Sequence, residues 1–250
     1  MSRTAASRVI FVLGAVGVAV LLGLAFSGMP GFGQTPHPYT VKAVAAALSH
    51  HTANVVSSVN FDLRGFDTLG EEFVLFSAAV AALLLLRTMR DEDEDQAQHH
   101  YGPEDFWEAV RLVGFAMLAP TVLVGVYIVV HGAVSPGGGF QGGAVLATGI
   151  HLGYLAGDYQ VLERVRPLVV FDVAEAIGAA GFVLVGLSAL VAGVPFLTNL
   201  LPTGERGEVT SAGTVGLLNV VVGMEVASAL ILLLAKFLEQ ALLVREDAHA

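Results

Sequence analysis

The residues best placed to do chemistry in this sequence are acids set inside apolar runs. Glu225, in LNVVVGMEVASAL, lies about 12 residues into a 26-residue apolar stretch. A carboxylate at that depth of a membrane is costly and marks ion or proton pathways. Glu175 stands about seven residues inside a second stretch, roughly 10 Å deep at helical rise, and Asp172 is three residues nearer the end on the same face. His151 falls midway along a third stretch, and histidine is the side chain that ordinarily titrates near neutral pH. Together the four side chains could form a relay for protons or cations. Plainer readings stay open: Asp172 reaching the interface beside Arg164 or Arg166, and His151 as a hydrogen-bonded packing residue.

A second candidate is HGAVSPGGGFQGG, His131 to Gly143, in which Gly137, Gly139 and Gly142 satisfy the dinucleotide pattern G-x-G-x-x-G. That fingerprint needs a strand before the glycines and a soluble helix after them. The preceding TVLVGVYIVV reads instead as a membrane helix, and no Lys-Ser or Lys-Thr completes a Walker loop, so phosphate binding is set aside. Pro136 stops a helix, and Gly137, Gly138, Gly139, Gly142 and Gly143 let the chain reverse freely. A simple turn needs fewer glycines, and Phe140 interrupts these with one large apolar group. Irregular backbone at membrane depth survives only when buried in protein or lining a wet cavity. The loop therefore packs closely against a partner or forms a re-entrant element near an ion path. Gly149, Gly153 and Gly157 follow on one helical face, a spacing that allows close helix approach.

The elements that must position these groups follow from composition. Of 250 residues, 55% are hydrophobic and 14% charged, against about 25% charged in soluble domains. Absence of cysteine excludes disulfides, thiolate nucleophiles and iron-sulfur or cysteine zinc sites, and the thinly spread basic residues offer no nucleic-acid surface. The formal charge of −10 owes much to DEDED, Asp91 to Asp95, and says little about partners. Six segments are long and apolar enough to be read as membrane helices, at about 20 residues each: Val9 to Phe26, Phe73 to Met89, Val110 to Val130, the short Gly142 to Ala156, Leu168 to Val191 and Gly213 to Leu238. The first could be a signal peptide behind Arg3 and Arg8, but its run of about 18 exceeds the usual length, which favours a retained helix. The fold expected is an all-α integral membrane protein.

Basic residues are retained on the cytoplasmic side. An inside N-terminus puts Arg3, Arg8, Arg87, Arg90, Arg111, Arg164, Arg166, Lys236 and Arg245 inside, and Lys42, Arg64 and Arg206 outside. Nine against three favours both termini in the cytoplasm and the glycine loop outside. Residues 91–105 read as an acidic cytoplasmic linker between a two-helix segment, 1–90, and a four-helix domain, 106–250. His99 and His100 in it are too few for a metal site, and none is expected elsewhere. Before the second helix, VNFDLRGFDTLGEEF carries Asp62, Arg64, Asp67, Glu71 and Glu72, which read as a charge network holding an outer loop. Upstream, TVKAVAAALSHHTANVV suggests a short interfacial helix.

These strings carry a family resemblance. From Val110 onward, HGAVSPGGGFQGG and LNVVVGMEVASAL resemble the B subunit (MnhB, MrpB) of the multi-component Mrp-type cation/proton antiporters. A similar small domain recurs in membrane-bound hydrogenase complexes. VNFDLRGFDTLGEEF resembles the C-terminal tail of the large A subunit of those antiporters. The resemblance implies an A-type tail and a B-type domain encoded together, in a multi-pass component of a bacterial plasma-membrane complex that exchanges sodium for protons on the proton motive force. It maps Pro136, the glycines and Phe140 to the loop motif, Asp67, Thr68 and Glu71, with Asp62 and Arg64, to the tail motif, and Glu225 to the last helix. No cofactor is implied beyond the transported ions. The chain has few lysines, Lys42 and Lys236, where the pumping chains of such complexes carry intramembrane ones; it is therefore expected to be an accessory subunit, with no enzymatic activity. Two alternatives remain open: a membrane-arm component of a hydrogenase-like or respiratory complex, and a purely structural scaffold.

Overall fold

A computed structural model describes residues 3–29, 38–87, 108–157 and 168–247, so Asp91 to Asp95, His99, His100, Asp158, Arg164 and Arg166 lie outside the described residues. The described elements are helical: α1 (Arg3–Ser27), α2 (Pro38–Ser49), α3 (Val55–Ser58) running into a π-helical turn (Val59–Leu63), α4 (Gly65–Arg87), α5 (Glu108–Val130), α6 (Gly139–Ala156), α7 (Leu168–Val191) and α8 (Thr214–Asp247). Five of them contain spans long and apolar enough to cross a bilayer: Ser7–Ser27, Gly65–Leu86, Arg111–Val130, Val169–Val191 and Thr214–Leu238. The protein is an all-α membrane protein, consistent with about six membrane helices once the 18-residue α6 is included.

The chain divides into two compact units, Met1–Val41 and Lys42–Ala250. In the first, α1 is apolar throughout and its described side chains are exposed. The second is organised around α8. Val215, Leu218, Val222, Val226, Ala229, Leu232 and Ala235 of this helix are all buried, because α4, α6 and α7 pack around it and α5 packs on α6. A helix buried on most sides needs no polar face. By contrast, α5 and α7 leave Leu112, Leu123, Val169 and Leu184 exposed, the lipid-facing signature of outer helices.

Glycine sets how close these helices come. A Cβ added at Gly142 would lie 2.4 Å from Val129 Cγ2, one at Gly149 2.7 Å from Val122 Cγ2, and one at Gly153 3.2 Å from Leu118 Cδ1, all on α5. On α6 again, a Cβ at Gly143 would lie 2.8 Å from the Gly223 carbonyl oxygen of α8. Dense packing in lipid is won by such small residues. The glycines of α6 are thus packing positions on two neighbours.

Two expectations change in detail. The stretch before the second helix is no outer loop: α4 begins at Gly65 and carries Asp67, Thr68, Glu71 and Glu72 in its first two turns. An acid in the first turn suits the positive helix end, and Thr68 is buried with its hydroxyl donating to the Asn60 carbonyl at 2.7 Å. Nor do its charges make one network. Arg64 pairs with Asp67, whereas Asp62 pairs with His50 on the segment after α2.

Candidate functional site

The carboxyls come together on α8. Glu225 has no solvent exposure, Glu72 of α4 has 2% and Glu175 of α7 has 4%. Glu72 and Glu225 are carboxyl neighbours across the α4–α8 contact. The geometry leaves all four of their oxygens, and Oε1 of Glu175, without another hydrogen-bonding partner among the described residues. From α7, Gly178 admits the backbone of α8: a Cβ there would lie 2.6 Å from Glu225 Cβ and 2.9 Å from its Cα. Glu175 is one turn from Gly178 and lies in the electrostatic field of Glu225 and of Asp172. Asp172 itself is exposed on α7, and His151 is half-buried on α6. Three helices therefore converge their acids on one interior point.

In the sequence Glu72 is legible only as a loop charge. Its burial follows from α4 starting eight residues earlier than Phe73; the signal available is that Leu69, Glu72 and Ala79 share one side of a helix that begins at Gly65, and all three are buried. Glu71, its neighbour in sequence, faces outward.

The glycine loop is the second part of the site, and it is held by two amides that carry no sequence motif of their own. Gly137 and Gly138 adopt φ of +136° and +138°, a region hostile to any Cβ. Asn219 of α8, fully buried, accepts from the Gly139 N–H at 3.0 Å and donates to Ser57 Oγ at 2.8 Å and to the Val215 carbonyl at 2.9 Å. A Cβ at Gly132 would lie 2.5 Å from Asn219 Oδ1. On the other side, Asn54 donates to the carbonyls of Gly132 (2.7 Å) and Ser135 (2.9 Å) while its Oδ1 caps α3. Both amides engage their donors and their acceptor oxygen at once. Phe140 packs against the buried core beside them. Pro136 and the loop glycines thus sit where a turn must pass within hydrogen-bonding reach of two other segments.

The same end of the bundle carries His51, whose Nδ1 meets the Gly204 carbonyl, and Asn199, which caps α8 by accepting from the Thr214 N–H at 2.8 Å. No group of three or more His, Cys, Asp or Glu able to hold a metal occurs among the described residues. The arrangement can hold and pass protons between carboxyls. Its buried acids, close-packed glycines and apolar outer helices define a multi-pass membrane protein of the ion-handling kind.

Comparison with known proteins gives the family. Residues 109–232 belong to the family described as a domain related to the MnhB subunit of Na+/H+ antiporter, and residues 3–100 match MbhE, the family of the E component of MBH. Among relatives, a Methanocaldococcus jannaschii protein without an assigned role is 28% identical over 211 residues, 73% of this chain and 76% of that protein. A probable K+/H+ antiporter A/B chain of Rhizobium meliloti is 27% identical over 58% of this chain and 16% of its own length. The B chain of a Na+/H+ antiporter of Bacillus subtilis is 37% identical over 91 residues, 36% of this chain and 60% of that one. Two solved structures share the fold. The membrane-bound sulfane sulfur reductase, an archaeal respiratory membrane complex, contains a chain matching at TM-score 0.69 and 27% identity, covering 93% of this chain and 98% of that one. The Mrp complex from Dietzia sp. contains one matching at 0.65 and 26%, covering 94% of this chain and 26% of that one.

Proposed function

We propose that this chain is an accessory, non-enzymatic membrane subunit of a multi-component cation/proton antiporter, needed both for assembly and for exchange of ions driven by the proton motive force. The observation that carries the reading is the burial of Glu225 against Glu72 in the interior of the bundle. A scaffold gains nothing from two acids there, since uncompensated carboxyls inside a membrane are expensive and persist where ions are handled. The names of the Rhizobium meliloti and Bacillus subtilis relatives support the same reading. Glu225 and Glu175 take the ion-handling role, with Asp172 at the exposed end of the route and His151 on the neighbouring α6. Pro136, Gly137, Gly138, Gly139, Phe140, Gly142 and Gly143 hold the loop in register, and Asp62, Arg64, Asp67, Thr68 and Glu71 form the entry to α4. The termini face the cytoplasm, as the basic residues indicate, and the work needs no cofactor beyond the transported ions.

A second reading has its own support: the respiratory complex chain is matched over 98% of its length, which favours a membrane arm coupled to a redox module. Purification in mild detergent through a tag on this chain separates the two. Co-purification with large antiporter-type membrane chains supports the first; partners bearing metal clusters would replace it with the second.

A further inference from the structure

Glu72 lies in the part of the chain matched by the MbhE family, and Glu225 lies in the MnhB-related domain. Each is at least 98% buried, each carboxyl lacks any other partner among the described residues, and the two face each other where α4 packs on α8. Two ionised carboxylates cannot share so dry a place, because nothing between them offsets their repulsion. With one proton, the hydroxyl of one carboxyl donates to an oxygen of the other, and the repulsion is replaced by a charge-assisted hydrogen bond. Independently, α7 turns a third buried acid toward the same point. Glu175 is 96% buried with an unpartnered oxygen, one turn from the Gly178 that touches Glu225.

We propose that Glu72 and Glu225 bind one proton between them, as a single acid assembled from both family domains. The inference rests on the transport reading above and assigns its proton-binding group. The other titratable groups around the pair are Glu71 on α4, which acts on Glu72, and Glu175 and Asp172 on α7, with His151 carried by α6. Asp172 is exposed, Glu175 is its neighbour one turn along, and Glu225 follows. A proton entering at Asp172 passes by O–H to carboxylate transfers through Glu175 to the pair, each step leaving one acid neutral and the next ionised. No bond other than O–H forms or breaks, and no oxidant or metal takes part.

Infrared difference titration of the full chain in lipid nanodiscs tests this through the protonated-carboxyl stretch. Wild type is compared with Glu72→Gln, Glu225→Gln and the double variant. Interacting sites titrate as a pair, so removing either acid moves the midpoint of the other by about one pH unit or more, and the two single losses do not sum to the double loss. Glu72→Asp, which keeps the acid but withdraws it by one methylene, is a second arm with little demand on folding and should also move the Glu225 midpoint. Unmoved midpoints with additive losses overturn the proposal. Sodium-dependent proton flux by the assembled complex is measured alongside. A moved midpoint with normal flux supports the pair and removes the transport reading; abolished flux with unmoved midpoints removes the pair and leaves that reading intact.

Discussion

Replacing Gly178 by alanine adds one methyl group at the point where α7 meets Glu225. The new Cβ would lie 2.6 Å from Glu225 Cβ, 2.9 Å from its Cα and 3.0 Å from its backbone nitrogen. None of these atoms is the free end of a side chain, so relief requires the two helices to separate by a sizeable fraction of an ångström. Overpacking of this sort destabilises by about 1–3 kcal/mol, while alanine in a helix interior returns about 0.5–1 kcal/mol relative to glycine. A net loss of about 1–2 kcal/mol is expected. Two other glycines supply the scale. A Cβ at Gly181 would lie 3.2 Å from Val221 Cγ1, the tip of a side chain, and one at Gly70 meets nothing within 4 Å. The order of stability should therefore be Gly70→Ala at or above wild type, Gly181→Ala near wild type and Gly178→Ala lowest. Unfolding in mixed micelles by a denaturing detergent, followed by far-ultraviolet circular dichroism, measures it. Equal stability of Gly178→Ala and Gly70→Ala would refute the close approach of α7 to Glu225.

Asn219→Ala removes both inter-segment bonds at once and orphans the Gly139 N–H; a loss of about 2–4 kcal/mol is expected in the same unfolding assay, since each buried orphan costs about 1–3 kcal/mol. Ser57→Ala should cost less, because the Asn219 amide keeps its bond to the Val215 carbonyl. Asp67→Asn removes an ion pair whose side chains are more than half exposed, so stability should change by less than about 1 kcal/mol. Purified alone into liposomes, the chain should give no sodium-dependent proton flux, and robust flux would contradict the accessory role.

The helices are readable in the sequence because their signal is one of length and apolarity, which survives without any tertiary context. Leu168–Val191 lies where the apolar run ends on both sides. The start of α4 is hidden because Glu71 and Glu72 break the apolar count, although a helix tolerates them when one faces outward and the other is buried. Glu225 stands out as a lone acid in a long run, and its burial is complete. Its partner does not, since the pairing of Glu72 with Glu225 depends on how α4 crosses α8, which no local pattern encodes. Asn54 and Asn219 escape notice for a related reason: an asparagine near a helix end looks ordinary until the loop it binds is seen, and Gly132 and Gly139 lie far from them in sequence. The glycine loop is recognisable by composition, and what composition cannot supply is the reason for so many glycines. Two of them hold positive φ, and others admit Asn219 and Val222 at distances closed to a Cβ.

Glu225 is assigned a part in transport as well as in packing. The direct test is sodium-dependent proton exchange in inverted membrane vesicles carrying the whole complex with Glu225→Gln, normalised to complex assembled as judged by native gel. Glutamine keeps the size of the side chain, so assembly should stay near wild type while exchange falls at least tenfold, equivalent to about 1.4 kcal/mol or more in activation free energy. Exchange at the wild-type rate from a fully assembled Glu225→Gln complex would contradict that assignment.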